Sequence, residues 1–178
     1  MLTSIQGPQA AEPREEDALD LLLGCHGRIR HFTDMALKLA HALEEPPEAV
    51  SSAAAAILRY YTIALPLHEA DENESFYPRL HAALPAGQLA DANEAMVEQH
   101  AGINAAVRAL LPLWEQVQRH PETLAQHATA LERLTGQLQD LWATHLALEE
   151  EQVVPAIRRY LSADELAAVR AEMHARRR

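Results

Sequence analysis

The stretch HEADENESFYPRL at residues 68–80 returns in altered form as HLALEEEQVVPAI at residues 145–157. Overlaid, the two share a histidine, a glutamate four positions on and a proline six positions after that: His68, Glu72 and Pro78 against His145, Glu149 and Pro155. Residues four apart lie on one face of an α-helix, so each His/Glu pair can grip a common object. A phrase used twice in this way asks for two equivalent helices in one fold.

Working outward, each phrase closes a helical hairpin. The segment DALDLLLGCHGRIRHFTDMALKLAHAL puts residues 19, 22, 23, 26, 29, 33 and 37 on one face, with His26 on the stripe, and ends before Pro46 and Pro47. A second helix is predicted from Pro47 to Pro78, kinked at Pro66, where a backbone donor is missing. LHAALPAG reads as a turn, and a third helix covers roughly 86–119 with Met96, Val97, His100, Ile103, Val107, Leu110, Leu111 and Trp114 on one side. Pro121 opens a fourth, whose stripe runs Leu131, Leu134, Leu138, Leu141, Trp142, His145, Leu148 and Glu149. Ser162 and Glu165 form the capping box of a short final helix. Short connections imply antiparallel neighbours, so the predicted fold is all-α: an up-down-up-down antiparallel four-helix bundle with a short C-terminal helix.

Composition agrees. The 178 residues suit a single domain, placed at 15–178 behind a flexible arm at 1–14, and apolar residues, led by Ala and Leu, make up 48% of the chain, with only 6 Gly. A net charge of −11 argues against nucleic acid, and the terminal HARRR reads as a frayed, solvated helix end. Cys25, the single cysteine, cannot make an internal disulfide and reads as a small core residue. With no export signal and no apolar run of spanning length read from the sequence, a cytoplasmic protein away from membranes is expected.

The hairpin geometry brings the histidines to one level. With turns near residues 45 and 120, His26 and His68 lie within about 6 Å of each other along the bundle, at 1.5 Å rise per residue, and His100 and His145 match as well. His26, His68, Glu72, His100, His145 and Glu149 would therefore converge inside an apolar bundle. Unpaired, such groups would destabilise the fold by several kcal/mol each, on the order of what isolated buried charges cost. A cation removes the conflict: imidazole with carboxylate suits iron, manganese or zinc, and two carboxylates can each bridge two ions that four histidines cap. A third His-x3-Glu pair, His41 and Glu45, sits at a helix end beside two prolines and is assigned to the surface. His31, His81, His120, His127 and His174 lie at ends, loops or other faces, and Tyr60, Tyr61, Trp114 and Trp142 read as core. No Glu-x-x-His, His-Glu-x-x-His, Gly-x-Ser-x-Gly or glycine-rich phosphate loop is present.

A His followed by His-x3-Glu, given twice, resembles the signature of the hemerythrin-like family, the HHE cation-binding domain, over roughly residues 16–160. The resemblance implies two non-heme iron ions with an oxo or hydroxo bridge, held by the six residues named, and a small diatomic molecule or peroxide as ligand. Oxygen-carrying hemerythrins have a second histidine where this chain has Asn104, which implies an open position on one iron. Binding, sensing or scavenging of dioxygen, nitric oxide or peroxide follows as the expectation. The alternatives are a di-iron redox enzyme breaking down peroxide, an iron donor in iron–sulfur cluster repair, and a bundle that uses no metal.

Overall fold

A computed structural model describes residues 16–85 and 90–178; the predicted arm at 1–14, residues 86–89 and the side chain of Val97 lie outside what it describes. Among the described residues the regular structure is helical throughout. Helix α1 is Ala18–His41, α2 is Pro47–Ala83, α3 is Ala90–Arg119, α4 runs 124–160 after a 3₁₀ turn at Pro121–Thr123, and α5 is Ala163–Arg176. The first helix starts at a capping box in which the Asp17 side chain accepts from the Asp20 N–H at 2.9 Å while Asp20 accepts from the Asp17 N–H at 3.0 Å. Ser162 and Glu165 cap α5 in the same reciprocal way, as the sequence predicts.

Helix α1 packs on α2 and α4, α3 packs on α2 and α4, the C-terminal ends of α2 and α4 meet, and α5 is laid across α1 and the far end of α2. The interior divides into two apolar clusters. One holds Ile29, Ile57, Leu110, Trp114, Leu131 and Leu138 with Tyr60, Tyr61 and Trp142; the other holds Leu22, Phe76, Leu80, Met96, Ile157 and Val169. Burying each such side chain contributes about 1.5–3 kcal/mol, so both ends of the molecule are independently tied together. Between them, on all four helices, lies a polar layer.

Proline explains how the helices pass that layer. α2 widens into π-turns at Tyr60–Ala64 and Asp71–Phe76, and α4 does so at Glu149–Val153. In each case the last N–H before a proline reaches back five residues: Leu65 to Tyr60, Tyr77 to Glu72 and Val154 to Glu149. Pro66, Pro78 and Pro155 come next; each lacks an N–H and would collide with the carbonyl four residues back, so the preceding turn takes in an extra residue. The kink predicted at Pro66 is such a turn. The proline shared by the two phrases has the same role, and it sets Glu72 and Glu149 at the opening of a π-turn.

One sequence expectation is corrected. Pro47–Ala83 is long and apolar enough, by length and composition, to cross a membrane, where the sequence reading expects no apolar run of that length. The core helix of a soluble protein passes the same test, and the middle of α2 carries His68, Asp71 and Glu72, all buried against protein.

Candidate metal centre

His26 comes from α1, His68 and Glu72 from α2, His100 from α3, and His145 and Glu149 from α4, and all six are buried. His26 Nε2 lies 3.0 Å from Glu149 Oε2, and His68 Nε2 lies 2.8 Å from Glu72 Oε1. His100 Nε2 stands 3.0 Å from Glu72 Oε2, and His145 Nε2 stands 3.8 Å from Glu149 Oε2. The six residues that the sequence singles out are thus brought to one place, and their potential ligand atoms form two groups. His26, His68, Glu72 and Glu149 make the first; Glu72, His100 and His145 make the second; within each group the atoms lie within 4.8 Å of one another. Glu72 belongs to both, turning one oxygen to each. Glu149 belongs to the first group only, although its Oε2 also stands 3.8 Å from His145 of the second.

Whether these residues fit metal ions is tested by their unsatisfied atoms. The Nε2 atoms of His26, His68 and His145 and both carboxylate oxygens of Glu72 and Glu149 are buried without a hydrogen-bond partner, although several stand close to one another. Orphaned polar atoms of this kind are rare in folded proteins. Here they all converge on the space that a cation would take, and imidazole with carboxylate is the donor set of iron, manganese and zinc.

Electrostatics point the same way. Burial opposes charge on His68, yet Glu72, the Cys25 thiol and Glu149 around it hold the imidazolium well above its ordinary range. Burial would lift Glu72, but His68 and His100 pull its carboxyl far below the usual carboxylate range. Glu149 is pushed up, by burial and then by the charge on Glu72. For His26 and His100 burial is outweighed by the carboxylates beside them and both rise, whereas burial, with the charges on His100, His68 and His26, outweighs Glu72 at His145 and takes it down to about 4. The opposed shifts show six groups buried close enough to set one another's charge states, a crowding that a bound cation would relieve.

Comparison with known proteins decides the family. A profile of the hemerythrin HHE cation-binding domain matches residues 17–157. The chain belongs to this family. An uncharacterised protein of Haemophilus influenzae is similar over nearly its whole length, 29% identical over 176 residues that cover 95% of this chain and 97% of the relative.

The HHE domain has outer partners that sequence reasoning missed. His26 Nδ1 lies 2.9 Å from Glu150 Oε1, and Arg30 donates to that same oxygen at 2.8 Å. His145 Nδ1 lies 3.1 Å from Gln99 Oε1, and His100 Nδ1 faces Glu69 Oε1 at 3.8 Å. Such contacts fix ring orientation and ligand basicity. His68 differs: the Cys25 thiol stands beside its ring, and Nδ1 has no partner in hydrogen-bonding geometry. Asn104 is engaged with a neighbour of the centre: its amide donates to both Glu69 oxygens, at 3.0 and 3.2 Å. Tyr77, whose hydroxyl donates to the Met96 sulfur at 3.3 Å, stands close enough to the centre that burial and the charges on Glu72 and Glu149 push its pKa far up.

Two readings of charged and reactive groups in the HHE domain change. Two of the three terminal arginines are held rather than solvated: Arg176 donates to Asp71 at 3.0 Å, to the Ser75 hydroxyl at 2.8 Å and to Glu74, while Arg177 forks onto both oxygens of Asp71 and onto the Met173 carbonyl. Asp71 is fully buried, directly before Glu72, so α5 neutralises the acid that opens this π-turn. Cys25 is a packed core residue, as expected, but Arg28 donates to its sulfur at 2.9 Å. Burial pushes the thiol up, yet His68, Arg28 and Arg177 together bring it lower than usual. Of the remaining histidines, His31, His41, His81, His120 and His174 are exposed, and His127 is half-buried.

Proposed function

We propose that this HHE domain is a cytoplasmic non-heme di-iron protein that binds, senses or scavenges dioxygen, nitric oxide or peroxide. The observation that carries this reading is the inequality of its two ligand groups around a shared Glu72: four residues offer donors to one and three to the other. The Asn104 amide nitrogen is engaged with Glu69, and an amide oxygen is a poorer metal donor than an imidazole. An ion in the smaller group would keep a position for an outside molecule. The reading takes the helices as the antiparallel up-down-up-down bundle of the family and the bridge between the ions as oxo or hydroxo. When bound, the two irons would supply the redox chemistry toward these small molecules.

The protein itself contributes position and environment. Four helices fix the imidazoles, the π-turns aim the two carboxylates inward, and Glu150, Gln99 and Glu69 orient rings from behind. The apolar clusters above and below limit water, which strengthens every charge interaction in the layer. Metal analysis after anaerobic reconstitution tests the reading, followed by exposure to air and then to nitric oxide. About two irons per chain, with near-ultraviolet absorption that changes on exposure, are expected of a di-iron bundle. Fewer than one iron per chain, or spectra indifferent to these gases, would contradict it.

A further inference from the structure

Beside the metal layer, one cavity stands apart in its chemistry. About 670 Å³ in volume, it opens between α1 and α2 and is lined by Phe32, Ile63, Leu67 and other apolar side chains, with His68, Cys25 and Tyr60 at its buried end. Arg28, Arg59 and Arg177 also line it, and no carboxylate does. In a chain of net charge −11 that concentration of positive charge is out of keeping with the rest of the molecule. Arg177 is already committed to Asp71. Among the described residues, however, neither Arg28 nor Arg59 is paired with an acid; Arg28 has only the Cys25 sulfur at 2.9 Å. His68, buried at the cavity's inner end, adds an Nδ1 without a partner.

These features specify a ligand. A cavity of this size exceeds any diatomic molecule or peroxide and falls in the range that holds small organic ligands. Its apolar walls call for a hydrocarbon body, and unpaired guanidiniums call for a carboxylate, which they bind through paired N–H donors. We propose that this cavity binds a small organic monocarboxylate with an apolar body, its carboxylate held by Arg28 and Arg59. Such a ligand would lie against His68 from the side away from Glu72, adding an organic acid to the molecules that this domain recognises. The cavity shares His68 with the metal layer, but Arg28 and Arg59 belong to neither ligand group, so octanoate binding through them is read without reference to metal content.

Octanoate, octanamide and acetate serve as probes, added to the full-length protein as purified and followed by thermal melting and titration calorimetry. Octanoate is expected to bind at one site per chain and to raise the melting temperature saturably. Octanamide, of the same shape but uncharged, should bind at least about tenfold more weakly, as should octanoate to the double variant Arg28→Gln, Arg59→Gln, since charge-assisted hydrogen bonds are lost in both cases. Arg158→Gln, an exposed change elsewhere, should leave octanoate binding as it was. Equal binding of octanoate and octanamide would overturn the proposal, because it would show an apolar pocket indifferent to charge. So would binding of acetate as tight as that of octanoate, an unchanged affinity in the double variant, or no saturable binding at all.

Discussion

The two copies of the repeated phrase do the same work in different surroundings. In α2 the position before the glutamate is Asp71, and in α4 it is Leu148; one residue after the histidine stand Glu69 and Leu146. The second copy packs these leucines into apolar clusters. The first needs two arginines from α5 to satisfy Asp71, and it places Glu69 between His100 and Asn104. The carboxylates differ as well: Glu72 faces both ligand groups and Glu149 only one. A common spacing thus fixes ligand position, while the residues between the ligands decide how each half is supported and how evenly the carboxylates are shared.

The largest effect should separate Glu72 from Glu149. Glu72→Ala removes a donor from both groups and is expected to abolish iron retention, whereas Glu149→Ala should leave the group of Glu72, His100 and His145 able to hold an ion. Elemental analysis of the two variants checks this; equal losses would erase the distinction between the carboxylates. Next in size, Arg176→Ala combined with Arg177→Ala strands the buried charge of Asp71. A loss of about 3–5 kcal/mol is expected from breaking such a pair, read by denaturant unfolding, and adding Asp71→Leu should restore much of it, since α4 manages with Leu148 in that place. A smaller effect belongs to the outer partners: Gln99→Leu should weaken metal affinity about 10–100-fold through His145, and Glu150→Leu should do so through His26. Competition with a chelator measures both.

The smallest effect is a pH dependence of the metal-free protein. His26, His68 and His100 are raised above the ordinary histidine value of 6.5 and His145 alone is lowered, to about 4. A raised group stabilises the fold fully below its unfolded pKa and loses that contribution as pH rises through its folded pKa; the lowered His145 works against this between 6.5 and about 4. Three raised groups outweigh one, so the melting temperature of the metal-free protein should fall as pH climbs above about 6.5, and iron loading at neutral pH should release protons. A metal-free protein that gains stability over that range would have its imidazoles in other states.

The spacing of histidines and glutamates carried most of this in the sequence. A ligand at i and i+4 on an apolar stripe leaves a periodic signal, and His26 and His100 betray themselves by lying on stripes that are otherwise almost wholly apolar. The recurring proline was visible too, but its consequence was not, because a π-turn arises from the collision of a particular ring with a particular carbonyl. Glu150, Gln99 and Glu69 sit among many acidic and amide residues, and only the fold shows which of them turn toward a ring. Asp71 and the terminal arginines were hidden for a different reason: a pairing across 105 positions, as between Asp71 and Arg176, has no local pattern, and a basic terminus reads as solvated until its acid is found. Uneven sharing by Glu72 and Glu149 depends on side-chain placement finer than helix arithmetic resolves.

The central claim is that six side chains from four helices form one two-ion centre joined by Glu72. A crystal structure of the iron-loaded protein with anomalous scattering recorded at the iron edge tests it most directly. Two iron peaks about 3.5–4 Å apart, each contacted by one oxygen of Glu72, are predicted, as in other two-metal sites. A single peak, or two peaks held at separate centres that do not share Glu72, would contradict the account.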